Sequence, residues 1–142
     1  MTSPTGACSV CGGQWPDAAD RIAELSESVL YLHTDQFFPG WSVLVLRRHA
    51  TELFDLEPDE RARVMDEVSD VARALQLAFG ARKVNYALFG NVLPHIHWHL
   101  IPRLETDPAP RDPVFAVAHE PVTLTGVDRA DRILAIRARL GR

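Results

Sequence analysis

The run His95-Ile96-His97-Trp98-His99-Leu100-Ile101 constrains this chain more than any other stretch. Imidazole and large apolar side chains alternate with a period of two. Along a strand, successive side chains point to opposite faces, so the run makes one face of imidazoles and one of Ile96, Trp98 and Leu100. The apolar face belongs in a core. On the other face, neighbouring histidines sit roughly 6.5–7 Å apart, too far for direct contact but close enough to surround one small ligand. Three imidazoles inside a core would each need a hydrogen-bond partner, which is costly. A merely solvated strand face more often carries Thr, Lys, Glu or Arg. The pattern therefore points to chemistry: imidazoles acting on a bound substrate, or a catalytic metal chelated by His95, His97 and His99.

The flanking sequence supplies a frame for that strand. Val29 to Leu32 and Trp41 to Leu46 are apolar runs, and the turn signal Phe38-Pro39-Gly40 would make them an antiparallel pair. Pro58, Asp59 and Glu60 suit a helix N-terminus. Val64, Met65, Val68, Val71, Ala72 and Leu75 then form one apolar stripe, and Gly80 is a stop. This predicts a helix from Pro58 to Phe79. Lys83 to Phe89 reads as a strand, Gly90-Asn91 as a turn, and Pro94 to Pro102 as the histidine-bearing strand. Pro108, Pro110 and Pro113 mark an irregular crossing segment. Ile133, Ile136 and Leu140 predict a short helix from Asp128 to Leu140.

A chain of 142 residues, 46% of them hydrophobic, fits one compact domain that buries a core without disulfide staples. Its net charge of -4 argues against broad binding to nucleic acid or to an anionic membrane, both of which want a large basic face. It leaves room for one phosphate ligand, which needs only local donors. No apolar run approaches the ~20 residues that span a bilayer. Met1 to Gly6 lacks the features of a secretory signal, so the expected location is the cytoplasm. In a reducing compartment the pair Cys8 and Cys11 reads as metal-binding or redox-active, or as two free thiols, rather than as a bridge.

The histidine run resembles the signature of the histidine triad (HIT) superfamily, in which three histidines alternate with apolar residues. Other segments are similar too. Phe38-Pro39-Gly40, followed by an apolar strand ending Arg47-Arg48-His49, resembles the family's Pro-Gly-His…Pro-Lys-Arg-His segment. Val84-Asn85, Gly90-Asn91 and Ile101-Pro102-Arg103 sit where the family has similar residues. The likeness runs from roughly Cys8 to Arg103. One departure stands out: Trp41 occupies the place where the family often has a histidine after Pro-Gly.

The resemblance implies an α+β fold, an antiparallel sheet of about five strands with one long and one shorter helix. It implies a single HIT-like domain over 1–142, with 1–20 as a zinc knuckle and 106–142 as a tail with the short helix. It also implies a nucleotide hydrolase or nucleotidyl transferase attacking the α-phosphate of a nucleotide conjugate. That conjugate would be a dinucleoside polyphosphate, a nucleoside phosphoramidate or an adenylate. His97 matches the nucleophile and His99 the residue beside the phosphate. Asn85, Gly90, Asn91 and Val92 match positions contacting phosphate. Asp35 is the candidate for holding the ribose, with His33 as competitor. In several relatives a Cys-x-x-Cys pair, the histidine after the basic pair and the first triad histidine bind zinc; here these are Cys8, Cys11, His49 and His95. Many members form homodimers. A metallohydrolase using all three histidines, and a nucleotide-binding module without turnover, are the rival expectations.

Overall fold

The computed structural model describes residues 7–141. Five strands form one antiparallel sheet: β1 (Arg21–Glu24), β2 (Ser28–Leu32), β3 (Ser42–Leu46), β4 (Lys83–Ala87) and β5 (His97–Arg103), in spatial order β1-β2-β3-β5-β4. Helix α1 (Pro58–Phe79) lies between β3 and β4, and α2 (Gly126–Arg139) closes the chain. This is the α+β architecture expected from the sequence. Among the described residues no helix is long and apolar enough to cross a membrane.

Both helices cover one face of the sheet. Leu30 and Leu32 of β2, Leu44 and Leu46 of β3, and Leu100 of β5 meet Val64, Val68, Val71 and Leu75 of α1, with Ile133 and Ile136 of α2 joining them. Each such aliphatic side chain contributes roughly 1.5–3 kcal/mol on burial. Pro58 occupies the start of α1, Asp59 and Glu60 fill its first turn, and Gly80 ends it in the left-handed conformation. Met65, expected in the buried stripe, lies on its flank and is exposed. Helix α2 begins two residues before the expected Asp128, because Thr125 caps it by accepting from the Asp128 amide.

The other face carries Val43, Val45, His97 and His99. The register sets Val43 opposite His99 and Val45 opposite His97. Here the cover is irregular chain. One part is the N-terminal knuckle, and another is the crossing segment after Arg103. Phe38, Trp41, Ile101 and Val114 form a second small core under that segment. The turn into β3 needs Gly40: its φ is +91°, and a Cβ there would lie 2.6 Å from the Phe79 ring.

Candidate active site and metal cluster

The three histidines are not equivalent. The expected strand from Pro94 begins only at His97, because the chain turns where the His95 amide donates to the Leu93 carbonyl at 2.9 Å. His95 is therefore swung out of line with the other two. Its Nε2 donates to the Leu46 carbonyl at 2.7 Å, which leaves Nδ1 as a lone pair. That Nδ1 lies 3.4 Å from the Cys8 sulfur, 3.7 Å from the Cys11 sulfur and 3.3 Å from His49 Nδ1. Cys11 is also 3.5 Å from His49 Nδ1.

These four donors lie within 4.8 Å of one another, and both cysteines are free thiols. A tetrahedral zinc separates two ligand nitrogens by about 3.3 Å and nitrogen from sulfur by about 3.6 Å. The cluster has those dimensions. The carbonyl on the far side of His95 is the outer partner that a metal-bound imidazole usually has. The Cys2His2 set thus fits a tetrahedral metal, with one protein donor for each of the four positions.

His97 and His99 face a different space. They line a cavity of about 660 Å³ with Ser9 and Trp15 of the knuckle, the loop from Phe89 to Leu93, and Phe115 of the crossing segment. His97 Nδ1 donates to the His95 carbonyl at 2.6 Å, so in the neutral ring Nε2 is the nitrogen that carries the lone pair, and it is left to the cavity. His99 has the opposite arrangement. Its Nδ1 accepts the Trp41 indole N–H at 3.1 Å, which puts the ring proton on Nε2. The two ring centroids are 5.3 Å apart. Burial, reinforced by His97 and then His33, pushes the His99 imidazole down to about 4. A lone pair and a neutral N–H donor thus lie side by side at one cavity.

Gly90, Asn91 and Val92 form part of the wall, and Val92 is almost fully exposed. Asn85 is not brought to this cavity. Its Oδ1 accepts from Arg103 at 2.7 Å, and it lines a neighbouring cleft on the far side of Phe89 and Phe115. Asp35 is not there either. His119 Nε2 at 2.7 Å and the Phe37 and Val122 amides at 3.0 Å take up its carboxylate. His33 comes closer: it stacks on Trp41 at 3.9 Å, lies 5.9 Å from His99 and lines a small groove beside Trp15. Sequence reasoning passed over Trp15, Phe89 and Phe115 as cavity walls, and His119 as the partner of Asp35. Their only signal is aromatic character, which core packing explains equally well.

Residues 17–106, well over half the chain, match the HIT domain family. The chain belongs to the histidine triad family. Among solved structures, a histidine triad protein from Bradyrhizobium japonicum is 34% identical, with a TM-score of 0.78, covering 85% of this chain and 91% of that one. A histidine triad protein from Marinobacter aquaeolei VT8 is 30% identical, with a TM-score of 0.77 and coverage of 87% and 91%. A zinc-bound histidine triad family protein from Mycobacterium smegmatis shares the fold at 23% identity, TM-score 0.70, over 97% and 96%. The asymmetrical bis(5'-nucleosyl)-tetraphosphatase of Schizosaccharomyces pombe is 27% identical over 94 residues, 63% of this chain. The chain spans about half the length of that curated relative, 52%.

Proposed function

We propose that this chain hydrolyses a dinucleoside polyphosphate by passing a nucleotidyl group through His97. The observation that carries the reading is the hydrogen bond from His97 Nδ1 to the His95 carbonyl, because it commits the other ring nitrogen to be a nucleophile. In the first step the Nε2 lone pair attacks the α-phosphorus. An N–P bond forms, the bridging P–O bond breaks, and the leaving phosphate keeps the electron pair. The His95 carbonyl steadies the positive charge that develops on the ring. In the second step water attacks phosphorus, the N–P bond returns its electrons to Nε2, and the water proton passes to solvent. The charge building on the phosphoryl oxygens needs donors fixed in advance. His99 Nε2–H and the loop of Gly90, Asn91 and Val92 fill that role. Nucleoside phosphoramidates and adenylates are the alternative conjugates; the yeast relative's activity favours the polyphosphate.

Zinc at Cys8, Cys11, His49 and His95 has a structural role in this reading. It pins the knuckle to the sheet, and every chemical step runs through protein side chains. A metallohydrolase needs three converging imidazoles, whereas both His95 nitrogens are directed elsewhere. We assign the chain to the cytoplasm, as a single domain with a zinc knuckle over 1–20 and a tail over 106–142, of which residues 1–6 and 142 lie outside the described residues. We also assign a homodimer. Edge strand β4 carries exposed Tyr86, with exposed Phe89 just beyond it, and a second copy would cover both. Light scattering at the mass of two chains checks that assignment.

The deciding experiment is a rapid quench with a dinucleoside tetraphosphate labelled at the α-phosphate. Label should attach to His97 and be absent in His97→Ala, while metal content is unchanged. Turnover with no labelled enzyme sinks the nucleophile. Tight AMP binding with no product from any conjugate makes the chain a binding module.

A further inference from the structure

We propose that Trp41 is a positioning residue that holds His99 as a neutral Nε2–H donor, and thereby selects substrates whose leaving group departs without a proton. The inference rests on the nucleotidyl-transfer reading above and specifies its substrate class.

The argument begins with what an indole can do. Its N–H donates and has no lone pair with which to accept. The 3.1 Å contact from Trp41 Nε1 to His99 Nδ1 can therefore run in one direction only. A histidine at this position could donate or accept, and would leave the His99 tautomer free to exchange. Trp41 also cannot turn away. It is 5% exposed, stacked face to face on His33 with planes 2° apart, and held edge-on by Phe38 and Phe115.

The surroundings of His99 keep it neutral. The titratable groups facing it are His97 on its own strand and His33 from the loop after β2, and both are imidazoles. Trp41, just before β3, and Phe115 on the crossing segment contribute no negative charge. A neutral imidazole N–H makes a good hydrogen bond to a phosphoryl oxygen, yet it is a very weak acid. It can stabilise charge on the transferred phosphate but cannot protonate a departing amine. A polyphosphate leaves as a stable anion and needs no proton. An amine leaving from a nucleoside phosphoramidate needs one, so the locked His99 disfavours that class.

The test has two independent readouts. Long-range nitrogen NMR of the wild-type protein, with histidine rings and tryptophan indoles labelled, reads the His99 tautomer and the coupling across the indole hydrogen bond. The expected result is a proton on Nε2, coupling from Trp41 to Nδ1, and exchanging tautomers in Trp41→Phe. Should Trp41→Phe fold poorly, a benzothienyl ring at position 41 alone keeps the shape and removes the N–H. A wild-type His99 protonated at Nδ1, or a tautomer unchanged by removing the indole N–H, overturns the proposal.

The second readout is the rate of nucleotidyl-His97 formation from a dinucleoside tetraphosphate and from an adenosine phosphoramidate. Wild type should favour the tetraphosphate by on the order of tenfold or more, and Trp41→His should narrow that ratio. An unchanged ratio alongside a changed tautomer overturns the link to specificity. If neither substrate labels His97, the nucleotidyl-transfer reading fails and the substrate selection fails with it. The NMR result still decides by itself whether Trp41 positions His99.

Discussion

An imidazole has two nitrogens, and in this chain the partner of one decides the work of the other. His95 spends Nε2 on the Leu46 carbonyl and turns Nδ1 to the cysteines. His97 spends Nδ1 on the His95 carbonyl. His99 takes the Trp41 N–H on Nδ1. The alternating run made the shared strand face of His97 and His99 legible, because period two needs only the sequence. The resemblance already implied separate roles for the three histidines; which ring nitrogen serves each role was not legible, because it depends on the Leu46 and His95 carbonyls and the Trp41 N–H that folding brings into reach. The low value of His99 has a measurable consequence. Its pKa falls from the ordinary 6.5 to about 4 on folding, so between those values the unfolded chain binds a proton that the folded chain refuses. Stability contributed by this group is complete above pH 6.5 and is lost as pH falls towards 4. Between pH 7 and 5 the loss should be about 2 kcal/mol in urea unfolding. A His99→Asn variant, which does not titrate, should show a flatter acid limb by that amount; an equally steep limb in the variant assigns the loss to other groups.

At the scale of elements, the crossing segment between β5 and α2 is what turns a strand face into a cavity, since it carries Phe115 to within 5.0 Å of the His99 ring centroid. Two anchors hold it. Arg103, buried at the end of β5, binds Asp107, the Ala109 and Asp112 carbonyls and Asn85. Further along, His119 donates from both nitrogens, to Asp35 and to the Val117 carbonyl, and stacks on Phe37. Neither anchor was legible. The prolines marked the segment as irregular but said nothing of its course, and Asp35 and His119 lie 84 residues apart. Strand β1 escaped for a related reason: Arg-Ile-Ala-Glu has charged ends and only two buried residues, too short to show a period. Helix α1 was legible to its exact bounds because proline, stripe and glycine all agree.

The second anchor responds to pH with a definite sign. The bond to Asp35 and that to the Val117 carbonyl raise His119. Burial alone would raise the Asp35 carboxyl, but hydrogen bonds from Val122, His119 and Phe37 hold it below its ordinary value. The stabilisation by His119 is complete below pH 6.5 and is lost as pH climbs through its raised value; that of Asp35 is lost only in stronger acid. His119→Gln should therefore cost on the order of 1 kcal/mol at pH 6 and less at pH 9, read from unfolding at both. A cost that does not fall with pH would mean that stacking on Phe37, and not charge, holds the segment.

For the whole molecule, the metal cluster and the cavity share a piece of chain. Cys8 and Cys11 bracket Ser9, and Ser9 and Trp15 stand in the cavity wall, with the Trp15 ring 5.4 Å from that of His97. At its far end the knuckle is tied down by the ion pair of buried Asp20 with Arg129. Cys8 is buried against His95, while Gly12, Gly13 and Gln14 are exposed. Binding of zinc to the folded arrangement alone would stabilise it by mass action, and the four ligands come from three separate stretches of sequence. The purified chain should then hold one equivalent of zinc by elemental analysis, and Cys11→Ser should lower that content. Chelation should lower the melting temperature and change Trp15 fluorescence, because the knuckle is released at its cysteine end. It should also raise KM far more than it lowers kcat, since a wall of the cavity is lost while His97 keeps its bond to the His95 carbonyl. Immediate and complete loss of the nucleotidyl-His97 intermediate on chelation, with the melting temperature unmoved, would instead place the metal in the chemistry. His97→Ala separates the two cases, because it must leave zinc content intact if the cluster is structural and must deplete it if the triad itself is the metal site.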